Sequence, residues 1–218
     1  MRPVLRWPLL GEGLWETIYM VGISAAITAL GGLLIGVLLV LTERGGLLAA
    51  PPVNLVLGLI VNVGRSLPFI ILLVAVIPFT RAVVGTTIGT DAAIVPLTIG
   101  AIPFFARIVE TAIREVPRDV VDAAIAAGAS RRQIVHKVLL REARPGLAAG
   151  LTITIIALVG YSAMAGTVGG GGLGDLAIRY GYQRFETEMM IATVVVLVLL
   201  VQAVQSLGDL VVRRLSHR

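Results

Sequence analysis

The stretch PRDVVDAAIAAGASRRQIVHKVLLREARPG, Pro117 to Gly146, is the one long polar passage in an otherwise apolar chain, and it holds six of the eighteen Lys and Arg residues. Pro117 suits the first position of a helix and Asp119 complements the positive end of its dipole, so the spacing predicts a helix from Pro117 to about Ala127. Val120, Val121, Ala124 and Ile125 recur at helical spacing with Asp122 on another face. Such a helix is amphipathic, too short to cross a bilayer, and lies along a surface. Gly128 stops it. Ser130 followed by Gln133 is a capping-box pair, which predicts a second helix from there to about Arg141. A loop that merely caps a helical bundle would read the same way up to this point.

The rest of the chain says what kind of bundle. Of 218 residues, 57% are hydrophobic and 14% charged, with mean hydropathy +0.95; soluble domains carry about 25% charged residues. A membrane span takes about 20 apolar residues, so the length holds five or six spans and no further soluble domain of useful size. The net charge of +5 and pI near 10.4 raise the question of nucleic acid. The basic residues, however, sit in loops flanking apolar runs, which is how membrane topology is encoded, and nucleic acid is not expected as a partner. There is no cysteine, which excludes disulfides, thiolate catalysis and cysteine-based metal sites. Met1 to Leu10 carries Arg2 and Arg6 but no apolar core followed by a small-residue cleavage site, and is read as no cleaved signal peptide.

Five apolar runs are legible within a single membrane domain: 19–41, 53–78, 92–109, 147–165 and 189–207. The first is flanked by Trp15 and Tyr19 and carries Gly32 and Gly36, a G-x-x-x-G spacing that lets another helix of the bundle approach closely. The second contains Arg65 and Pro68, and the proline predicts a kink. A charge at membrane depth costs about 2.5 to 3.5 kcal/mol, so Arg65 must snorkel, pair or face water. Two readings of it stay open: the boundary of a half-length membrane segment beginning at Ser66, or a place in the transport path or opposite a carboxylate. The third run has Pro96, Gly100 and Pro103 and is expected to bend. Between the fourth and fifth lies Gly166 to Gly174, a glycine-rich passage read as flexible; it has no G-x-x-x-x-G-K-[ST] and is not a phosphate loop.

The basic residues orient the chain. With the N-terminus outside, Arg44, the eight basic residues from Arg107 to Arg144, and Arg213, Arg214 and Arg218 fall inside. Arg2, Arg6, Arg81, Arg179 and Arg184 fall outside, leaving Arg65 unassigned. The positive-inside rule then places the C-terminus and the 110–146 loop in the cytoplasm.

In that loop, Asp122-Ala123-Ala124, then Gly128, then Val138 and Leu140, resembles the EAA loop of ABC-importer permeases, with Asp122 in place of the usual Glu and Arg141 where a Pro is common. Further blocks are similar to methionine-importer permeases, a five-span branch of the type I ABC importers. These are RSLPFIILL at 65–73, IPFTR at 77–81, AIVPLT at 93–98, LVGYSAM at 158–164 and GGLG at 171–174. The resemblance covers roughly 13–212. It implies an all-α integral membrane protein in the bacterial cytoplasmic (inner) membrane, acting as a homodimer in the lipid with two cytosolic ATPase subunits and an extracytoplasmic methionine-binding lipoprotein. The implied function is ATP-driven import of methionine, in L and D forms, with ATP and Mg bound by the partner ATPase and no cofactor, metal or catalytic residue in this subunit. It assigns a coupling helix that docks on the ATPase to Asp119, Val120, Asp122, Ala123, Ala124, Ala127, Gly128, Ala129 and Arg131. It also assigns a translocation gate to Tyr161, Ser162 and Met164. The residue alone would make Met164 an ordinary packing methionine.

Other classes fit less well. An intramembrane protease needs a histidine at depth, yet the two histidines, His136 and His217, lie in polar segments, and the spans hold almost no carboxylates for a metal. A transporter acting alone normally carries membrane-embedded ionisable groups or an internal repeat; Arg65 is the one feature in its favour. A permease for another amino acid or small solute stays open as the alternative.

Overall fold

The computed structural model describes residues 6–216; Arg2, His217 and Arg218, which entered the sequence reading, lie outside them. All regular structure among the described residues is helical. α1 spans Trp7–Thr42. It is about 54 Å long at 1.5 Å per residue, against a hydrocarbon core of about 30 Å. The helix therefore begins twelve residues before the apolar run that announces it. Pro8 at its first turn needs no hydrogen-bond donor, and Glu12 and Glu16 are good helix formers, so polarity marks the end of the oily stretch but not of the helix.

The second apolar run is three helices: α2 Pro51–Ser66, α3 Phe69–Ala75 and α4 Ile77–Val84. The expected kink at Pro68 is a full break, with α2 and α3 inclined by 105°. Leu67 is forced into extended backbone (φ −81°, ψ 125°), as the residue before a proline tends to be, and Pro68 has no N–H to continue the ladder. α4 runs past the expected end of the run and stops at Gly85, whose φ is +83°.

α5 Thr90–Arg114 passes through Pro96 and Pro103 without interruption. After α6 Arg118–Ala126 come α7 Arg131–Gln133, a π-helical turn Ile134–Leu139 and α8 Leu140–Glu142. The chain then continues through α9 Arg144–Gly166, α10 Gly172–Leu176, a second π turn Ala177–Tyr182, and α11 Thr187–Ser216. α1, α5, α9 and α11 are each long and apolar enough to cross a membrane, and the bent pair α2 and α3 makes at most a fifth crossing.

α1 and α5 form the axis of the bundle. A Cβ placed on Gly36 would lie 2.5 Å from Val109 Cβ and 2.6 Å from the Ala106 carbonyl oxygen, and one on Gly32 2.8 Å from Phe105 Cδ1. The G-x-x-x-G spacing is thus the seam between α1 and α5 within one subunit. Around it, Met20, Val21, Phe69, Leu73, Leu97, Leu158 and Val159 form one core. Leu41, Phe105, Val109, Ile113, Ile134 and Leu139 form a second core beneath the polar passage.

The glycine-rich passage is packed, contrary to its flexible reading. Glu16 Oε2 accepts from the N–H of Gly172 at 2.6 Å, and Thr17 Oγ1 accepts from the N–H of Leu173 at 2.9 Å. Gly171 and Gly172 both have φ of +76°, and a Cβ on Gly172 would sit 2.7 Å from Thr17 Oγ1. Left-handed backbone and close approach to α1 are both met by glycine.

Candidate functional site

The polar passage folds from local signals. Pro117 is the residue before α6 rather than its first helical residue, with extended backbone at φ −58° and ψ 134°. Gly128, at φ +78°, ends the helix through a Schellman motif. Its N–H donates to the Ile125 carbonyl at 2.9 Å, and the Ala129 N–H donates to the Ala124 carbonyl at 3.0 Å. The next residue opens a complete capping box: Ser130 Oγ accepts from the Gln133 N–H at 3.3 Å while Gln133 Oε1 accepts from the Ser130 N–H at 2.8 Å. The six positions from Gly128 to Gln133 thus stop one helix and start another, leaving little freedom in the angle between them.

α6 buries none of its residues fully. Val121 and Ala124, with Ala129 beyond the turn, rest against the second core, the one containing Leu41, Ile113, Val116, Ile134 and Leu139. Asp119, Val120, Asp122, Ala123, Ala127, Gly128 and Arg131 face away from it and are exposed. The expected docking set is therefore divided: seven residues look outward, while Ala124 and Ala129 hold the helix to its own subunit. Ile125, 51% exposed, joins the outward set, although its helical spacing with Val121 reads as a buried position.

A groove lies on each side of α6. One, of about 560 Å³, is lined by Glu43, Arg44, Arg114, Arg118, Asp122 and Ile125. The other, of about 610 Å³, is lined by Val120, Lys137, Val138, Arg141, Arg144 and Leu215. Asp122 and Arg141, the two departures from the EAA pattern, open on opposite grooves. Among the described residues no group of three or more His, Asp or Glu side chains is gathered to hold a metal ion.

Just above α6, at the end of α5, lies a charge cluster that sequence reasoning did not single out. Glu110 is 3% exposed, yet its carboxylate is satisfied on both oxygens: Arg107 Nη1 donates to Oε2 at 2.5 Å and Arg114 Nη2 lies 2.7 Å from Oε1. Arg107 Nη2 donates to Asn62 Oδ1 of α2 at 2.6 Å, and Arg114 Nη2 reaches Glu43, at the end of α1, at 3.1 Å. The i, i+3 and i, i+4 spacings within α5 were a readable signal. Asn62 and Glu43 had none.

The three expected gate residues do not share one wall. The Tyr161 ring stacks on Phe69, the first residue of α3, with centroids 4.5 Å apart and planes 7° from parallel. Ser162 is buried, and its hydroxyl donates to the Val159 carbonyl at 2.8 Å. Met164 is 47% exposed on the subunit surface. Arg65, in the last turn of α2, is exposed and has no ion-pair partner among the described residues.

Comparison with known proteins bears on these features. Residues 32–217 match the family model of the binding-protein-dependent transport system inner membrane component. The chain is 56% identical over 210 residues to the probable D-methionine transport system permease protein MetI of Vibrio cholerae serotype O1 (strain ATCC 39315 / El Tor Inaba N16961), covering 96% of this chain and 93% of that one. It is 50% identical to the corresponding protein of Pasteurella multocida (strain Pm70), covering 97% and 98%. A solved structure described as inward-facing conformations of the MetNI methionine ABC transporter matches with a TM-score of 0.95 at 50% identity over 99% of both chains.

Proposed function

The chain belongs to the family of binding-protein-dependent transport system inner membrane components, and we propose that it is the permease subunit of an ATP-driven importer of methionine. Its kinship with methionine permeases supports the substrate, and α6 supports the mechanism. Two permease copies form the pathway in the bacterial inner membrane, with the N-terminus outside and the C-terminus inside. Two cytosolic ATPase subunits bind ATP and Mg and dock on α6. An extracytoplasmic methionine-binding lipoprotein delivers the substrate.

The observation that carries the mechanism is the arrangement of α6: bound to its own core by Val121 and Ala124, fixed in angle by the Gly128 turn and the Ser130–Gln133 box, and exposing Asp119, Val120, Asp122, Ala123, Ala127, Gly128 and Arg131 to a partner. A helix held this way is a rigid lever. Closure of two ATPases pushes it, and because packed cores are bistable rather than soft, the push turns whole membrane halves and exchanges outward for inward access. Of the gate residues Tyr161, Ser162 and Met164, Met164 narrows the path from the surface that faces the second copy, while Tyr161 and Ser162 hold its helix from within the subunit. Asp122, one carbon shorter than the family's Glu, alters contact geometry in its groove and retains docking.

Uptake of labelled methionine into liposomes tests this. The subunit reconstituted with its ATPase and binding protein takes up methionine only with ATP present, and excess unlabelled methionine, unlike other amino acids, competes. Equal uptake by the permease alone would overturn the reading.

A further inference from the structure

Building on that reading, we propose that Asn62 and Arg107, held by buried Glu110, are positioning residues that carry the movement of α6 into α2 and so to the gate helix α9. Glu110 sits four residues before the end of α5, and only Glu115, Val116 and Pro117 separate α5 from α6. The carboxylate is buried and bonded on both oxygens, so it does not turn freely. The carboxylate tethers the planar Arg107 guanidinium at one nitrogen, Nη1, which narrows the directions open to the other terminal nitrogen. That nitrogen, Nη2, donates to Asn62 Oδ1 at 2.6 Å.

Among the described residues this is the one side-chain hydrogen bond between α2 and α5. α2 is also tied to α1, where Asn54 Nδ2 donates to the Leu39 carbonyl at 2.6 Å and to Thr42 Oγ1 at 3.2 Å; against α5 it otherwise packs through Val61 and through Gly64, where a Cβ would lie 2.6 Å from Pro103 Cγ, while Leu55, Leu59 and Ile60 face outward. Six residues after Asn62 the chain breaks at Pro68, and Phe69 meets Tyr161 of α9 face to face. A shift of the last turns of α5 thus reaches α2 at one directional bond, and beyond the break α3 meets α9 at the Phe69–Tyr161 stack. Apolar contact alone lets the later turns of α2 slide on α5; the Arg107–Asn62 bond fixes their register against it.

Asn62 is exposed and its side chain has no other hydrogen-bond partner among the described residues, so its replacement leaves the buried charges paired and the fold intact. The experiment compares Asn62→Leu with Asn62→Asp in the whole complex in liposomes, measuring complex yield, binding-protein-stimulated ATP hydrolysis and methionine uptake in parallel. Asn62→Leu assembles and hydrolyses ATP, but its uptake per ATP falls by about fivefold, the size of a mid-range coupling term. Asn62→Asp, whose carboxylate accepts from Arg107 in place of the amide oxygen, restores uptake per ATP to within about twofold of the parent. Unchanged uptake per ATP in Asn62→Leu overturns the proposal, as does an equal loss in both variants. Absence of ATP-dependent uptake in the unmodified complex would instead count against the transport reading itself.

Discussion

Phe69 and Tyr161 lie ring on ring, their centroids 4.5 Å apart and their planes inclined by 7°, although one opens the helix after the 105° break and the other lies deep in α9. Phe69 is buried in the core that holds Leu73, Leu97 and Leu158, so the stack pins the start of α3 to α9. Aromatic pairs contribute about 0.5 to 1.5 kcal/mol beyond the area they bury. The Tyr161 hydroxyl has no hydrogen-bond partner among the described residues, so the ring rather than the OH is what the structure uses. Tyr161→Phe should match the parent in thermal stability and in methionine uptake. Tyr161→Ala should unfold at lower temperature in detergent and admit substrate without ATP. Parent-like tightness in Tyr161→Ala would remove Tyr161 from the gate.

Gly128 separates two effects that a single substitution usually confounds. A Cβ there meets nothing within 4 Å in this subunit, so the only internal cost of a side chain is its φ of +78°. That strain is about 1 to 2 kcal/mol for an alanine and less for an asparagine, which tolerates left-handed backbone. Gly128→Asn should therefore fold nearly as well as the parent, and Gly128→Trp should still insert in the membrane. Both add volume on the face proposed to meet the ATPase. Co-purification of the ATPase should fall with side-chain size, being weakest with Trp; a full-strength complex with Trp would show that the ATPase docks elsewhere.

The seam between α1 and α5 gives a sharper structural test. Gly36 has no room, with Val109 and the Ala106 carbonyl about where a Cβ would go, while Gly22 on the same helix has nothing within 4 Å. Overpacking a close seam costs about 1 to 3 kcal/mol or more. Gly36→Val should lower the yield of folded protein and its melting temperature, and Gly22→Val should do neither. Size-exclusion profiles and thermal scans in one detergent decide it. Equal behaviour of the two variants would mean that α1 and α5 can separate without loss.

What could be read from the chain follows the range of the forces involved. The helix, glycine and capping box of 117–133 are set by residues within a few positions of one another, and they appear in the structure where local rules place them. The ends of α1 and α2 were less legible because apolar runs report the membrane's thickness, whereas helix ends follow local backbone signals, Pro8 in the first turn of α1 and the Leu67–Pro68 step after α2; hence Trp7 rather than Tyr19, and a break rather than a kink at Pro68. The bond from Arg107 to Asn62 spans 45 positions and that from Glu16 to Gly172 spans 156. No spacing rule connects such pairs. The outward turn of Ile125 was hidden for a related reason: periodicity assigns residues to faces, but the width of the buried face depends on what lies beneath it.

Those longest connections yield the last prediction. Thr17 is buried, and its hydroxyl both accepts from the Leu173 N–H at 2.9 Å and donates to the Gly13 carbonyl at 2.8 Å. Valine has the same shape without the oxygen, so Thr17→Val leaves the Leu173 N–H buried with no partner. An unsatisfied buried donor costs about 1 to 3 kcal/mol. Glu16 differs: Gln offers the same acceptor oxygen to the Gly172 N–H and loses only the charge, so Glu16→Gln should be milder than Thr17→Val, and Glu16→Leu should approach it. Thermal unfolding in detergent ranks the three. The consequence extends to transport, because α10 begins at this turn and packs against the end of α9, with Gly174 in contact with Ala163 next to Met164. Loosening the turn frees the C-terminal end of α9, which carries the proposed gate residue Met164, so Thr17→Val should raise basal, binding-protein-independent ATP hydrolysis as well as lower the melting temperature. A melting temperature equal to that of the parent would show that the glycine turn is held by its own backbone and not by α1.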